Sequence, residues 1–312
     1  MSADDLRLPR SQAGSSPQHL LATVLGEYLN STEAGLPSPA VIAILAEFGV
    51  SEAGARSALS RLTRRGLLAM RGRGRSPVYH VTASAFAHHR WHMQRFLNFG
   101  AHPPRWTGDW VTVSYSIPSA GQATRHAVRK SLAGLRFAGL YDSVWIRPGS
   151  DAGPVRAVLR ELLGPVPGAR WSVMHARFDE EAGPHGPAAA YDLAGLAGAY
   201  TGFAERFAAL RAEVRAGTVD AARALVARTS VMDAWRRFPE VDPDLPAHLL
   251  PPSWPRPRAR ATFLDIHAAL GSPARARLIE VTTPYWPAAA DWIIFFAAST
   301  DPANPAPVGP QH

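Results

Sequence analysis

Cysteine is absent from the 312 residues. That excludes disulfides, thiolate metal sites and cysteine nucleophiles, and it suits a reducing compartment, the cytoplasm. Lysine is nearly absent as well. Lys130 stands alone, so the 33 basic residues are almost all arginine. No run of eighteen apolar residues occurs, so no membrane-spanning helix is expected; the longest apolar stretch, Trp292 to Ala298, reads as a late strand or packing segment. The first sixteen residues lack the apolar centre of a signal peptide and carry Asp4 and Asp5 where positive charge would be expected. Catalytic signatures are missing too. There is no Gly-x-Ser-x-Gly and no His-Glu-x-x-His, and Gly72-x-Gly74 lacks the third glycine of a dinucleotide fingerprint. The expectation is a protein that is not an enzyme and uses no cofactor.

What is present is an uneven distribution of charge. From Ser51 to Arg75 there are seven arginines and one acid, Glu52, a net charge of +6 out of +8 for the whole chain. The surrounding pattern is helical. Val41, Ile42, Leu45 and Phe48 share one face of a helix over Ser38–Phe48, Gly49 supplies a turn, and Ser51 stands at an N-cap position. A second helix over Glu52–Arg65 buries Ala55, Ala58, Leu59 and Leu62 and leaves Arg56, Ser57, Ser60, Arg61 and Arg64 outward, with Gly66 as its stop. Two strands follow, Leu67–Met70 and Val78–Val81, joined by a tip carrying Arg71, Arg73 and Arg75 between glycines. Helix, turn, helix and basic hairpin in this order predict a winged helix-turn-helix bound to duplex DNA. The helix residues serve the major groove, the wing arginines serve phosphate or the minor groove, and Arg65 belongs to the same DNA-binding set.

The length accommodates two or three domains. Residues 17–100 form the DNA-binding segment, with an opening helix Pro17–Asn30 and a linker helix Ser84–Phe99. Residues 108–180 read as strand (Trp110–Ile117), helix (Val128, Leu132, Leu135), strand (Gly139–Ile146), helix (Val155–Leu163) and strand (Trp171–Phe178), which predicts a ferredoxin-like α+β domain. Residues 191–298 read as mainly helical. They open with one long amphipathic helix through Leu193, Tyr200, Phe207 and Leu210, followed by helices over Val219–Phe238, Ala259–Leu270 and Pro273–Val281. Segments 1–16 and 300–312 are polar or proline-rich and are expected to be disordered.

Several stretches resemble the PaaX-type repressors of aryl-acetate catabolism. They are Glu47-Phe48-Gly49-Val50-Ser51-Glu52 through Arg64-Arg65-Gly66-Leu67-Leu68, the strand Trp110–Pro118, Trp235-Arg236-Arg237-Phe238-Pro239 with Asp242-Pro243-Asp244-Leu245-Pro246, and Leu249-Leu250-Pro251 with Trp254-Pro255. The resemblance implies a homodimeric transcriptional repressor on a palindromic operator, released by an aryl-acyl-CoA. It also implies a central domain similar to Cas2-type nucleases. Those nucleases place a metal-binding aspartate at the end of the first strand, where this chain has Ser116, so nuclease chemistry is not expected.

Two further groups carry alternatives. Arg228, Trp235, Arg236 and Arg237 are candidates for the effector, arginines for its phosphates and tryptophan for its rings. The competing reading makes Trp235 and Phe238 core and gives the arginines to helix ends or to Asp242 and Asp244. His88 and His92, four apart on a helix with His89 between, have the spacing of two metal ligands. With no third ligand evident, the expectation is surface histidines and no metal.

Overall fold

The computed structural model describes residues 16–29, 31–72, 77–102, 106–118, 121–179, 186–297 and 306–308. The expected disordered segments fall largely outside these residues. Inside them, Ala306–Val308 forms a short strand.

The N-terminal part opens with α1 (Pro17–Tyr28) and the two-residue strand β1 (Leu36–Pro37), followed by α2 (Ser38–Ala46) and α3 (Glu52–Arg64). A hairpin of β2 (Leu68–Arg71) and β3 (Val78–Val81) comes next, and α4 (Ala83–Asn98) closes the segment. The strands pair antiparallel in the order β1-β3-β2. This is the expected order of helix, turn, helix and hairpin. The local causes are those expected from sequence. Ser51 caps α3 by accepting from the Gly54 amide at 3.2 Å, and Gly49 and Gly66 take the left-handed conformation at φ +72° and +71° that ends each helix. Ala55, Ala58, Leu59 and Leu62 are buried.

The central part contains β4 (Trp110–Ser116), α5 (Gln122–Gly134), β5 (Ala138–Tyr141), β6 (Val144–Pro148), α6 (Gly153–Leu163) and β7 (Arg170–Ala176), with an antiparallel sheet in the order β5-β6-β4-β7. The expected single strand Gly139–Ile146 is a hairpin, because the chain turns at Asp142-Ser143. One face of β4, through Val111, Val113 and Tyr115, packs on Val128 and Leu132 of α5 and on Val155, Leu159 and Leu163 of α6. The other face carries Trp110, which with Ile146 meets Ala188, Leu245 and Leu249.

The remaining helices are α7 (Leu193–Arg206), α8 (Ala208–Ala216), α9 (Ala221–Trp235), α10 (Phe238–Val241), α11 (Arg256–Ala269), α12 (Gly271–Thr282) and α13 (Ala289–Trp292), followed by strands β8 (Phe295–Ala297) and β9 (Ala306–Val308). The long helix expected through Leu210 is broken at Phe207, whose φ of −100° and ψ of 6° leave the helical region.

The chain is interleaved. One compact unit combines the chain up to Phe99 with Phe203–Arg237 and Arg258 onward; the other combines Gly100–Gly202 with Phe238–Pro257. The segment expected as a third consecutive domain is thus shared between them. In the first unit α12 packs against α9 and α2, and α1 against α9. In the second, Tyr200 donates to the buried Asp242 at 2.5 Å, and Arg256 bridges Asp242 and Asp244 at 3.2 and 2.6 Å. The carboxylates offered by sequence to Arg236 and Arg237 are therefore taken by Arg256.

Candidate nucleic-acid interface

The apolar stripe of α3 is consumed by packing, so its opposite face is set. Arg56, Ser57, Ser60, Arg61 and Arg64 are all exposed, in a row along one helix. Arg56 is held by an i, i+4 pair with Glu52, Nη2 to Oε1 at 2.6 Å, with both side chains more than half exposed. Such a pair contributes little to stability and releases its arginine readily to a phosphate. Arg65, at the C-cap, is half-buried. In the hairpin Arg71 is exposed and Gly72 has φ +88°. Arg73 and Arg75 lie outside the described residues.

The base of this surface is anchored from the same unit. Glu47, just before the Gly49 turn, receives both arms of Arg277 of α12, from Nε at 2.7 Å and from Nη2 at 3.0 Å. A planar fork of this kind fixes orientation as well as distance. The turn joining α2 to α3 is thereby tied to a helix some 230 positions away. Sequence reasoning missed this residue pair, because nothing local marks an arginine for a distant carboxylate.

The four effector candidates separate. Arg228 is fully buried, and each of its three nitrogens makes a hydrogen bond. It donates to Glu27 Oε2 at 3.2 Å, to the His267 carbonyl at 3.0 Å and to the Phe296 carbonyl at 2.7 Å. Trp235 is fully buried, stacks on Phe263 with centroids 4.9 Å apart, and donates from Nε1 to the Phe96 carbonyl at 2.9 Å. Both are core residues of their unit, so ligand contact through them is corrected to a packing role. Arg236 is mostly buried beside Asp233 and His19. Arg237 is exposed.

His88 and His92 face each other, Nε2 to Nε2, at 2.9 Å. Among the described residues no group of three metal-competent side chains is found. His89, read from sequence only as their neighbour, is turned inward against α1. Ser116 is exposed at the end of β4, opposite Arg170 of β7. Asp109 pairs with Arg177 at 2.8 Å, and hydrogen bonds from Arg177 and Thr107 hold its carboxyl below the usual range.

Three family models match in succession. Residues 16–85 match the PaaX-like protein model, residues 103–180 the PaaX protein central Cas2-like domain, and residues 191–279 the PaaX-like protein C-terminal domain. The chain belongs to the PaaX family. PaaX proteins are transcriptional regulators that bind DNA. Among solved structures, uncharacterized protein Rv0674 from Mycobacterium tuberculosis is 24% identical with a TM-score of 0.55, the match covering 84% of this chain and 98% of that one. That likeness concerns the fold alone. A search of curated proteins finds no match. No helix among the described residues is long and apolar enough to cross a membrane.

Proposed function

We propose that this PaaX protein is a cytoplasmic, homodimeric repressor of an aromatic-acid operon, bound to a palindromic operator and released by an aryl-acyl-CoA. The observation that carries the DNA-binding part is the exposed row on α3, three arginines and two serines on a helix whose other face is buried. A helix of that width enters the major groove, where arginine reads guanine and serine reads either base. Arg71, Arg73 and Arg75 grip phosphate beside it. Two such heads would meet half-sites about 34 Å apart, one turn of the duplex. An effector releases the operator if it favours a state in which that spacing is lost. The Glu47–Arg277 fork and the buried Glu27–Arg228 contact support this reading, because a shift in α9 or α12 must move α1 and the α2–α3 turn with it.

The test uses an operator fragment selected from a randomised pool, in a gel shift at physiological salt. Arg61→Ala with Arg64→Ala removes two groove contacts worth about 1–3 kcal/mol each, so affinity falls by at least about tenfold. An unchanged shift would overturn the assignment of this face to DNA.

A further inference from the structure

One turn of α4 separates His88 from His92, and the two rings converge. Their Nε2 atoms lie 2.9 Å apart, with ring centroids at 4.3 Å and planes inclined at 68°. A metal ion bound by imidazole at about 2.0–2.1 Å sets two of its nitrogens about 2.9 Å apart at a right angle, and about 3.3 Å apart in a tetrahedron. The pair stands at the first separation and a few tenths of an ångström short of the second. The rings are also held in place. His92 lies against Trp91 and Phe96, with centroids at 4.8 and 5.5 Å. Its Nδ1 is shielded from water and has no hydrogen-bond partner, so Nε2 is the nitrogen this ring can offer. The pair sits well inside α4 (Ala83–Asn98), away from the ends where a helix frays. Both residues are half-buried, which leaves the pair within reach of solvent.

Two convergent imidazoles select for one class of ion. Calcium and magnesium want oxygen ligands, whereas zinc, copper and nickel are suited by imidazole nitrogen. We propose that His88 and His92 chelate one divalent transition-metal ion of the imidazole-favouring class through their Nε2 atoms, with water in the remaining positions. Structural zinc sites use four protein ligands and catalytic ones three. With two, the ion is exchangeable and the fold does not depend on it. Arg95 and Arg236 act on His92 as positive charges, a second reason for a modest affinity. The ion closes a ring across one turn of α4, and because the unfolded chain does not hold the two rings together, occupancy stabilises the folded state. The site involves neither α3 nor the wing, so it is independent of the DNA reading.

The experiment is isothermal titration calorimetry of the full chain, carrying no affinity tag and without DNA, with zinc, nickel and magnesium chlorides in separate runs. Zinc or nickel is expected to bind at one ion per chain and to raise the melting temperature, and magnesium to do neither. Loss of a partner one shell further out already costs a metal site 10–100-fold, so His88→Gln and His92→Gln should each weaken binding about tenfold or more. The chain has 12 histidines, and the exposed His126 of α5 controls for scattered surface binding: His126→Gln should bind as the natural chain does. His92 is packed between aromatic rings and its variant can unfold, so His88→Gln carries the decision, with a thermal melt in the absence of metal confirming its fold. Absence of heat with both zinc and nickel, magnesium binding as tightly as they do, a folded His88→Gln protein with unchanged affinity, or an equal loss in His126→Gln would each overturn the proposal. None of these outcomes bears on the gel shift of the α3 variant.

Discussion

Glu27, Arg228 and His267 are charged or titratable, yet none meets water. Arg228 spends its donors on Glu27 and two carbonyls, and His267 Nε2 lies 3.4 Å from Glu27 Oε1. Removing one partner leaves the other as a buried, uncompensated charge. Arg228→Ala is therefore expected to cost about 3–5 kcal/mol in denaturant unfolding, and Arg228→Met with Glu27→Leu to recover most of it. A loss below 1 kcal/mol would mean that the site is wet. Burial first, then the Arg228 charge, pushes the His267 imidazole down to about 4, with Glu27 opposing. A histidine at its ordinary value near 6.5 in the unfolded chain takes up protons before the folded one does. The stability it contributes is complete above about pH 6.5 and is lost as pH falls from there toward 4. The melting temperature should drop between pH 7.5 and 5, and less steeply in His267→Asn; identical slopes would remove His267 from the account. At this scale the sequence was least legible. Arg228 and Trp235 have the chemistry of a ligand site, and the groups that claim Arg228 lie 39, 68 and 201 positions away. No local pattern reports such a partner.

Elements were far more legible, because their causes are local. The period of apolar residues, the Ser51 cap and the glycines at 49 and 66 define α3 without reference to the rest of the fold. Failures came where two elements share one composition. Tyr141 and Val144 flank a two-residue turn and read as one strand, and α7 and α8 share an apolar face across the Phe207 break. Two glycines separate a local from a tertiary requirement. Gly66→Ala strains a left-handed residue with open space around it and should cost about 1 kcal/mol. Gly26→Ala keeps normal helical geometry but drives a methyl into the His89 ring. Overpacking of that kind costs about 1–3 kcal/mol, so Gly26→Ala should melt below Gly66→Ala despite alanine's higher helix propensity. The reverse order would show that His89 swings away freely.

At the scale of the whole chain, the interleaving matters more than any single element. The N-terminal helices up to Phe99 are packed by Trp235, Arg228 and Arg277 from segments more than a hundred residues later. A fragment ending at Phe99 therefore exposes the surfaces that α9 and α12 cover, and it should unfold at lower denaturant concentration than the full chain. Only the order of elements could be read from sequence here, since three consecutive family segments say nothing about which of them pack together. The central claim is that the arginines of α3 and the wing neutralise DNA phosphate and read bases. The most direct measurement is operator affinity as a function of salt, for the natural chain and for Arg71→Ala with Arg73→Ala and Arg75→Ala. Each lost phosphate contact should make the slope of log affinity against log salt shallower by about 0.9. A slope that stays the same, with affinity intact, would contradict the claim outright.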